Sequence, residues 1–122
     1  MKPFNTDRAP GAIGPYSQAY EVGGMLYTSG QLPVDPATGE IPSGIEAQAR
    51  QSCENVCAIL TAAGSDRNKV FKTTCFLANM DDFAAFNDVY AHYFISKPAR
   101  SCVAVKKLPK GALCEIEAIA EA

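Results

Sequence analysis

Leu113-Cys114-Glu115-Ile116-Glu117-Ala118-Ile119-Ala120 alternates with a period of two. Successive side chains of a strand point to opposite faces. Cys114, Ile116, Ala118 and Ala120 therefore share one face, and Leu113, Glu115, Glu117 and Ile119 the other. The first set is small and apolar and suits packing under helices. The second mixes carboxylates with aliphatic residues. Upstream, Arg100 to Val105 reads as a further strand, joined to the last by Lys106-Lys107-Leu108-Pro109-Lys110-Gly111. Its apolar residues Val103 and Val105 alternate with Arg100, Cys102 and Ala104. Sending Val103 and Val105 toward the helices leaves Arg100, Cys102, Glu115 and Glu117 on a helix-free face, beside Leu113 and Ile119. Such a face suits a subunit interface. A surface Arg–Glu cross-strand pair of little energetic weight fits the same pattern.

The elements before these strands are also legible. Tyr16 to Val22 and Met25 to Ser29 flank Gly23-Gly24, a pair that tolerates the positive φ of a tight hairpin turn. Leu32 to Gly44 is a loop carrying Pro33, Pro36, Gly39 and Pro42. Ser43 and Glu46 have the spacing of a capping box for a first helix. Ile45, Ala49, Cys53, Val56, Leu60 and Ala63 form its apolar stripe, and Gly64 ends it. Val70 to Leu77 reads as a strand. Asn79 to Asp82 start a second helix with the stripe Phe83, Phe86, Val89, Tyr90 and Tyr93, and Pro98 stops it. The order is strands, helix, strand, helix, strands, an α+β domain in which two helices cover one face of the sheet.

Composition bounds the function. A chain of 122 residues holds one domain, here 1–122, and 48% hydrophobic with 20% charged residues is ordinary for a globular protein. The formal net charge of -2 does not favour nucleic acid or an anionic membrane. No apolar run approaches the roughly 20 residues of a membrane helix, and Met1 to Pro10 reads as no signal peptide. The five cysteines, Cys53, Cys57, Cys75, Cys102 and Cys114, are odd in number and scattered. They read as small buried hydrophobes in a reducing cytosol rather than as disulfides or metal ligands. Cys53 and Cys57 share a helix face, but the one histidine, His92, is distant in sequence.

Five blocks in order then resemble the RidA/YjgF family, also described as L-PSP endoribonucleases or translation inhibitors. They are Ala12 to Gln18 (AIGPYSQ), Thr28 to Gln31 (TSGQ), Gln48 to Ser52 (QARQS), Lys72 to Thr74 (KTT), and Pro98 to Val103 (PARSCV) with Cys114 to Ala120 (CEIEAIA). The resemblance implies a chorismate-mutase-like, YjgF-type fold and a homotrimer with clefts between subunits. It implies hydrolysis of enamines and imines such as 2-aminoacrylate and 2-iminobutyrate to 2-keto acids and ammonia, with no metal or organic cofactor. Carried over by position, Arg100 binds the substrate carboxylate and Glu115 directs water, while Tyr16, Ser29, Gly30, Asn87 and Cys102 line the cleft. The residue types suit the chemistry. A guanidinium fork holds a planar carboxylate with two hydrogen bonds, and a nearby carboxylate can orient water and move a proton.

One departure is visible. Between Tyr90 and Pro98 stand only Ala91 to Lys97, where typical bacterial members carry several more residues and an aromatic before the Pro-Ala-Arg. The segment is expected near the cleft mouth, where it bears on substrate size. Two other readings stand beside the deaminase. One is an endoribonuclease, for which Lys106, Lys107 and Lys110 form the only cationic cluster. The other is a non-catalytic module binding small carboxylates such as 2-ketobutyrate or serine through Arg100.

Overall fold

The computed structural model describes residues 1–122. Six strands and two helices follow in the order β1 (Lys2–Phe4), β2 (Ala19–Val22), β3 (Met25–Thr28), α1 (Ile45–Ala62), β4 (Val70–Leu77), α2 (Phe83–Tyr93), β5 (Ala99–Ala104) and β6 (Cys114–Glu121). The sheet runs β1-β2-β3-β6-β4-β5. Every pairing is antiparallel except β4 with β5, which α2 connects as a parallel crossover. The sheet is therefore mixed, as expected. The hairpin forms at Gly23 and Gly24, whose φ values of 59° and 79° give the left-handed pair that a two-residue turn requires.

The first helix begins without the expected capping box. Gly44 is the N-cap, with φ 89°, and no side chain caps the helix. A Ser at the position before the cap cannot reach the orphan amides that a box bonds. The C-terminus follows the sequence closely. Gly64, with φ 84°, donates to Thr61, and Ser65 donates to Leu60, a Schellman pair that closes the last turn. The second helix stops at Tyr93, well before Pro98. Phe94 turns in and is buried, and Lys97 bonds back to Phe94 with a left-handed φ of 52°.

Ala49, Cys53, Val56 and Leu60 of α1 meet Phe86, Val89 and Tyr90 of α2 and the inner sheet face. That face supplies Leu26, Cys75, Leu77, Cys114, Ile116 and Ala118. Each fully buried large side chain contributes about 1.5–3 kcal/mol. Cys53, Cys75 and Cys114 are buried and free, and Cys57 and Cys102 are half-buried and free. Burial pushes the Cys75 thiol to about 12 and that of Cys114 to about 11. They pack as small hydrophobes. The first strand escapes the sequence reading, because Lys2–Phe4 has three residues and only Phe4 points inward.

One assignment of faces is overturned. Arg100 and Cys102 do not share a face with Glu115. The register pairs Thr73 with Arg100 and Cys75 with Cys102 in parallel, and Thr73 and Cys75 face the helices. The antiparallel register pairs Cys75 with Ile116 and Phe76 with Glu115. Arg100 thus lies under α2, and Glu115 lies on the helix-free side. The two strands are not neighbours either, since β4 separates them. Apolar Val103 and polar Arg100 suggest the opposite orientation. The reason it fails is that β5 is an edge strand: its outer Val103 stays 47% exposed, while α2 offers the guanidinium aromatic rings and an amide.

Candidate functional site

The site residues fall into two groups on opposite faces of the sheet. The first surrounds Glu115. An isolated bridge pairs Gln31 with Ile116, through an amide-to-carbonyl bond of 2.7 Å and its return of 3.2 Å. This bridge brings Gly30 beside the Glu115 side chain. A Cβ on Gly30 would lie 2.8 Å from the Glu115 carboxyl carbon and from Oε2. The absence of a side chain at position 30 is what lets the carboxylate lie there. Ser29 donates its hydroxyl to the Ser17 carbonyl at 2.6 Å and its amide to Gln18 at 2.8 Å. These bonds tie the strand end to the loop that carries Tyr16.

That loop has an organiser the sequence reading missed. Gln18 is buried, and its amide nitrogen donates to Thr6 at 3.0 Å and to Pro10 at 2.8 Å. Its oxygen accepts from the Thr6 amide at 2.7 Å. A glutamine at the base of a strand carries no sequence signal for this role beyond its place in the AIGPYSQ block. Tyr16, Ser29, Gly30 and Glu115 line one cleft of about 640 Å³, with Ile13, Lys110 and Glu117. Burial raises the Glu115 carboxyl above its usual value, and the like charge of Glu117 raises it further. Such a carboxyl exchanges a proton closer to neutral pH than a free one.

The second group surrounds Arg100. Its Nη1 donates to Asn87 Oδ1 at 2.8 Å. The guanidinium carbon sits 4.8 Å from the Tyr90 ring centre and 5.5 Å from that of Phe83. The Tyr90 hydroxyl and Thr73 Oγ1 are 2.6 Å apart, which fixes the ring. Burial pushes the Tyr90 hydroxyl up to about 12, so it stays protonated. Phe83, Asn87 and Tyr90 stand at i, i+4 and i+7 on one helix face, a spacing that marks a shared face in the sequence itself. Cys102 packs partly against the core beside them. Burial raises its thiol, and Arg100 only partly opposes this, so it is not a thiolate at neutral pH.

The structure thus brings Tyr16, Ser29, Gly30 and Glu115 together, and Asn87, Arg100 and Cys102 together, but not the two sets within one chain. The short Ala91–Lys97 segment does not line the Glu115 cleft; Ser96 instead bonds to the Val70 carbonyl at 3.0 Å. His92 is exposed in the last turn of α2. No group of three His, Cys, Asp or Glu side chains is arranged to hold a metal ion. No helix is long and apolar enough to cross a membrane.

This fold has known counterparts. The sequence model of the family described as endoribonuclease L-PSP matches residues 6–122. The chain belongs to that family, the RidA/YjgF proteins. A RutC family protein of Pasteurella multocida is 55% identical, over 98% of this chain and 96% of its own. The 2-iminobutanoate/2-iminopropanoate deaminase of Escherichia coli is 50% identical, over 98% of this chain and 96% of its own. The crystal structure of E. coli TdcF with bound serine superposes with a TM-score of 0.96 at 50% identity, covering 100% of this chain and 99% of that one.

Proposed function

We propose that this protein is an enzyme that hydrolyses 2-enamine and 2-imine intermediates, such as 2-aminoacrylate and 2-iminobutyrate, to 2-keto acids and ammonia. The observation that carries the reading is the Glu115 carboxyl, raised by burial and lying in an open cleft against Gly30. The likeness to an E. coli deaminase of 2-imino acids supports the substrate class. Arg100 anchors the substrate carboxylate through a bidentate fork. Glu115 orients water toward C2 of the imine and takes a proton from it as the C–O bond forms. The resulting carbinolamine expels ammonia after protonation at nitrogen, and the carbonyl forms. For an enamine, protonation at C3 comes first and gives the imine. General acid–base assistance of this kind supplies about 10²–10⁴-fold, which suits substrates that already react with water.

Arg100 and Glu115 can serve one substrate only if they come from two copies of the chain, because the sheet separates them within one. The helix-free face supports such an assembly. Its outward residues Tyr20, Val22, Tyr27 and Val103 are apolar and exposed, beside Lys72, Thr74 and Glu117. Our reading is a single-domain cytoplasmic homotrimer with the clefts between its subunits, in which Tyr16, Ser29, Gly30 and Cys102 border the ligand. A coupled assay tests the chemistry: a threonine dehydratase generates the imine, and keto-acid release is followed with and without the protein. Arg100→Lys is expected to lose activity, since an ammonium does not reproduce the fork. Glu115→Gln is expected to keep its affinity for 2-ketobutyrate and lose about 10²-fold or more in turnover. A Glu115→Gln protein with full turnover would refute the role given to Glu115, and a wild type that binds 2-ketobutyrate without speeding keto-acid release would favour the carboxylate-binding module.

A further inference from the structure

Arginine side chains on strands have several rotatable bonds, and ordering one on ligand binding costs up to about 2 kcal/mol of rotamer freedom. Arg100 is ordered before any ligand arrives. Its Nη1 is bonded to Asn87 Oδ1 at 2.8 Å, and its charge lies near the rings of Tyr90 and Phe83. The orientation of the Asn87 amide is dictated chemically, because a guanidinium has no acceptor and only the amide oxygen can face it. The Tyr90 ring is held in turn by the contact of its hydroxyl with the buried Thr73 on β4. The seat therefore spans α2, β4 and β5 and is complete within one chain.

We propose that Asn87 is a positioning residue that acts through Arg100: by holding Nη1 it presents the Nε–Nη2 edge of the guanidinium as the fork that receives a carboxylate. The rings of Tyr90 and Phe83 complete the seat. This inference rests on Arg100 being the carboxylate anchor. It makes Asn87 a determinant of affinity rather than of the chemical step, and it assigns Asn87 no ligand contact of its own. A carboxylate then meets a preset edge, and the ordering cost falls on folding instead of binding.

The test pairs nitrogen NMR of the Arg100 side chain with imine hydrolysis kinetics, for the full chain and for Asn87→Ala, Asn87→Asp and Arg100→Lys. In the wild type the held guanidinium is expected to rotate slowly and give separate Nη1 and Nη2 signals. Asn87→Ala is expected to merge them, and Asn87→Asp, which keeps an acceptor, to retain them. Asn87→Ala is expected to raise KM about tenfold, the equivalent of one lost bond to a charged group, with kcat within about twofold. Added to Arg100→Lys, Asn87→Ala is expected to cause no further loss, as residues acting through one group are non-additive. Unchanged Arg100 signals in Asn87→Ala, or a further loss in the double variant, would overturn the proposal. Merged signals with an unmoved KM would also overturn it, since holding Arg100 would then add nothing to affinity; wild-type kinetics in Arg100→Lys would instead refute Arg100 as the anchor, so the two failures are distinguishable.

Discussion

Replacing Gly30 by alanine isolates the position of the Glu115 carboxyl from its chemistry. The added Cβ would stand 2.8 Å from the carboxyl carbon and Oε2, and 3.2 Å from Cγ. Ordinary contacts between such atoms begin at about 3.5 Å. The carboxyl is the free end of a flexible side chain, so it yields by roughly 1 Å rather than distorting the sheet. A misplacement of that size costs on the order of 10²-fold in turnover. Stability responds differently. Gly30 is not among the glycines with left-handed φ, so alanine fits its backbone without strain. Alanine also restricts the unfolded chain, a gain of about 0.4–1 kcal/mol. We therefore expect a Gly30→Ala protein as stable as the wild type but about 100-fold slower. Thermal unfolding and the coupled imine assay check the two halves. Combining Gly30→Ala with Glu115→Gln is expected to lose far less than the sum, because both act on one carboxyl. Turnover within twofold of wild type in Gly30→Ala would refute the reasoning.

Other outcomes are equally specific. Glu115 has a raised pKa, so the folded protein holds this proton more tightly than the unfolded chain and loses stability as pH rises through the folded value. Glu115→Gln is thus expected to be more stable than wild type at neutral pH, with the difference vanishing below the ordinary value of 4.5; denaturant titrations across pH measure it. Cys102→Ser is expected to keep most imine hydrolysis, because burial keeps this thiol protonated; loss to background in a folded variant would assign the thiol a direct role. Sedimentation equilibrium at micromolar concentration is expected to give three times the chain mass, and a single-chain mass would leave Arg100 and Glu115 apart. Purified protein is expected to leave RNA intact without metal, and cleavage abolished by a folded Glu115→Gln variant would contradict this.

The sequence announces the elements far better than their juxtaposition. Val70–Leu77 is found residue for residue, because β-branched and aromatic residues there agree with the flanking turns. The inward set of β6 also follows its alternation, since a strand between two neighbours must bury its apolar face. The orientation of β5 does not follow. An edge strand obeys its alternation only weakly, and its direction is set by partners that α2 supplies. Asn87 is the residue that would have given the answer: it lies within the stripe of Phe83, Phe86 and Tyr90, where a polar side chain needs a buried partner. The capping box fails for a different reason, as the motif is short and Gly44 occupies the cap by one residue of offset. The members of the two groups are expected only through the family resemblance, whereas their separation by the sheet is a matter of register.

The position of β6 in the sheet has a consequence for how the chain acquires its structure. The segments β1-β2-β3 and β4-α2-β5 are each assembled from contacts close in sequence, yet they touch in the sheet only through β6, the last element in chain order. Until it inserts, β3 and β4 present two open edges with their amides and carbonyls unpaired. Such edges are templates for pairing with other chains. The two central pairings of the sheet, β3 with β6 and β4 with β6, therefore both depend on this one eight-residue strand. Because Glu115 rides on that strand, the same pairings that close the sheet also set the place of its carboxyl against Gly30.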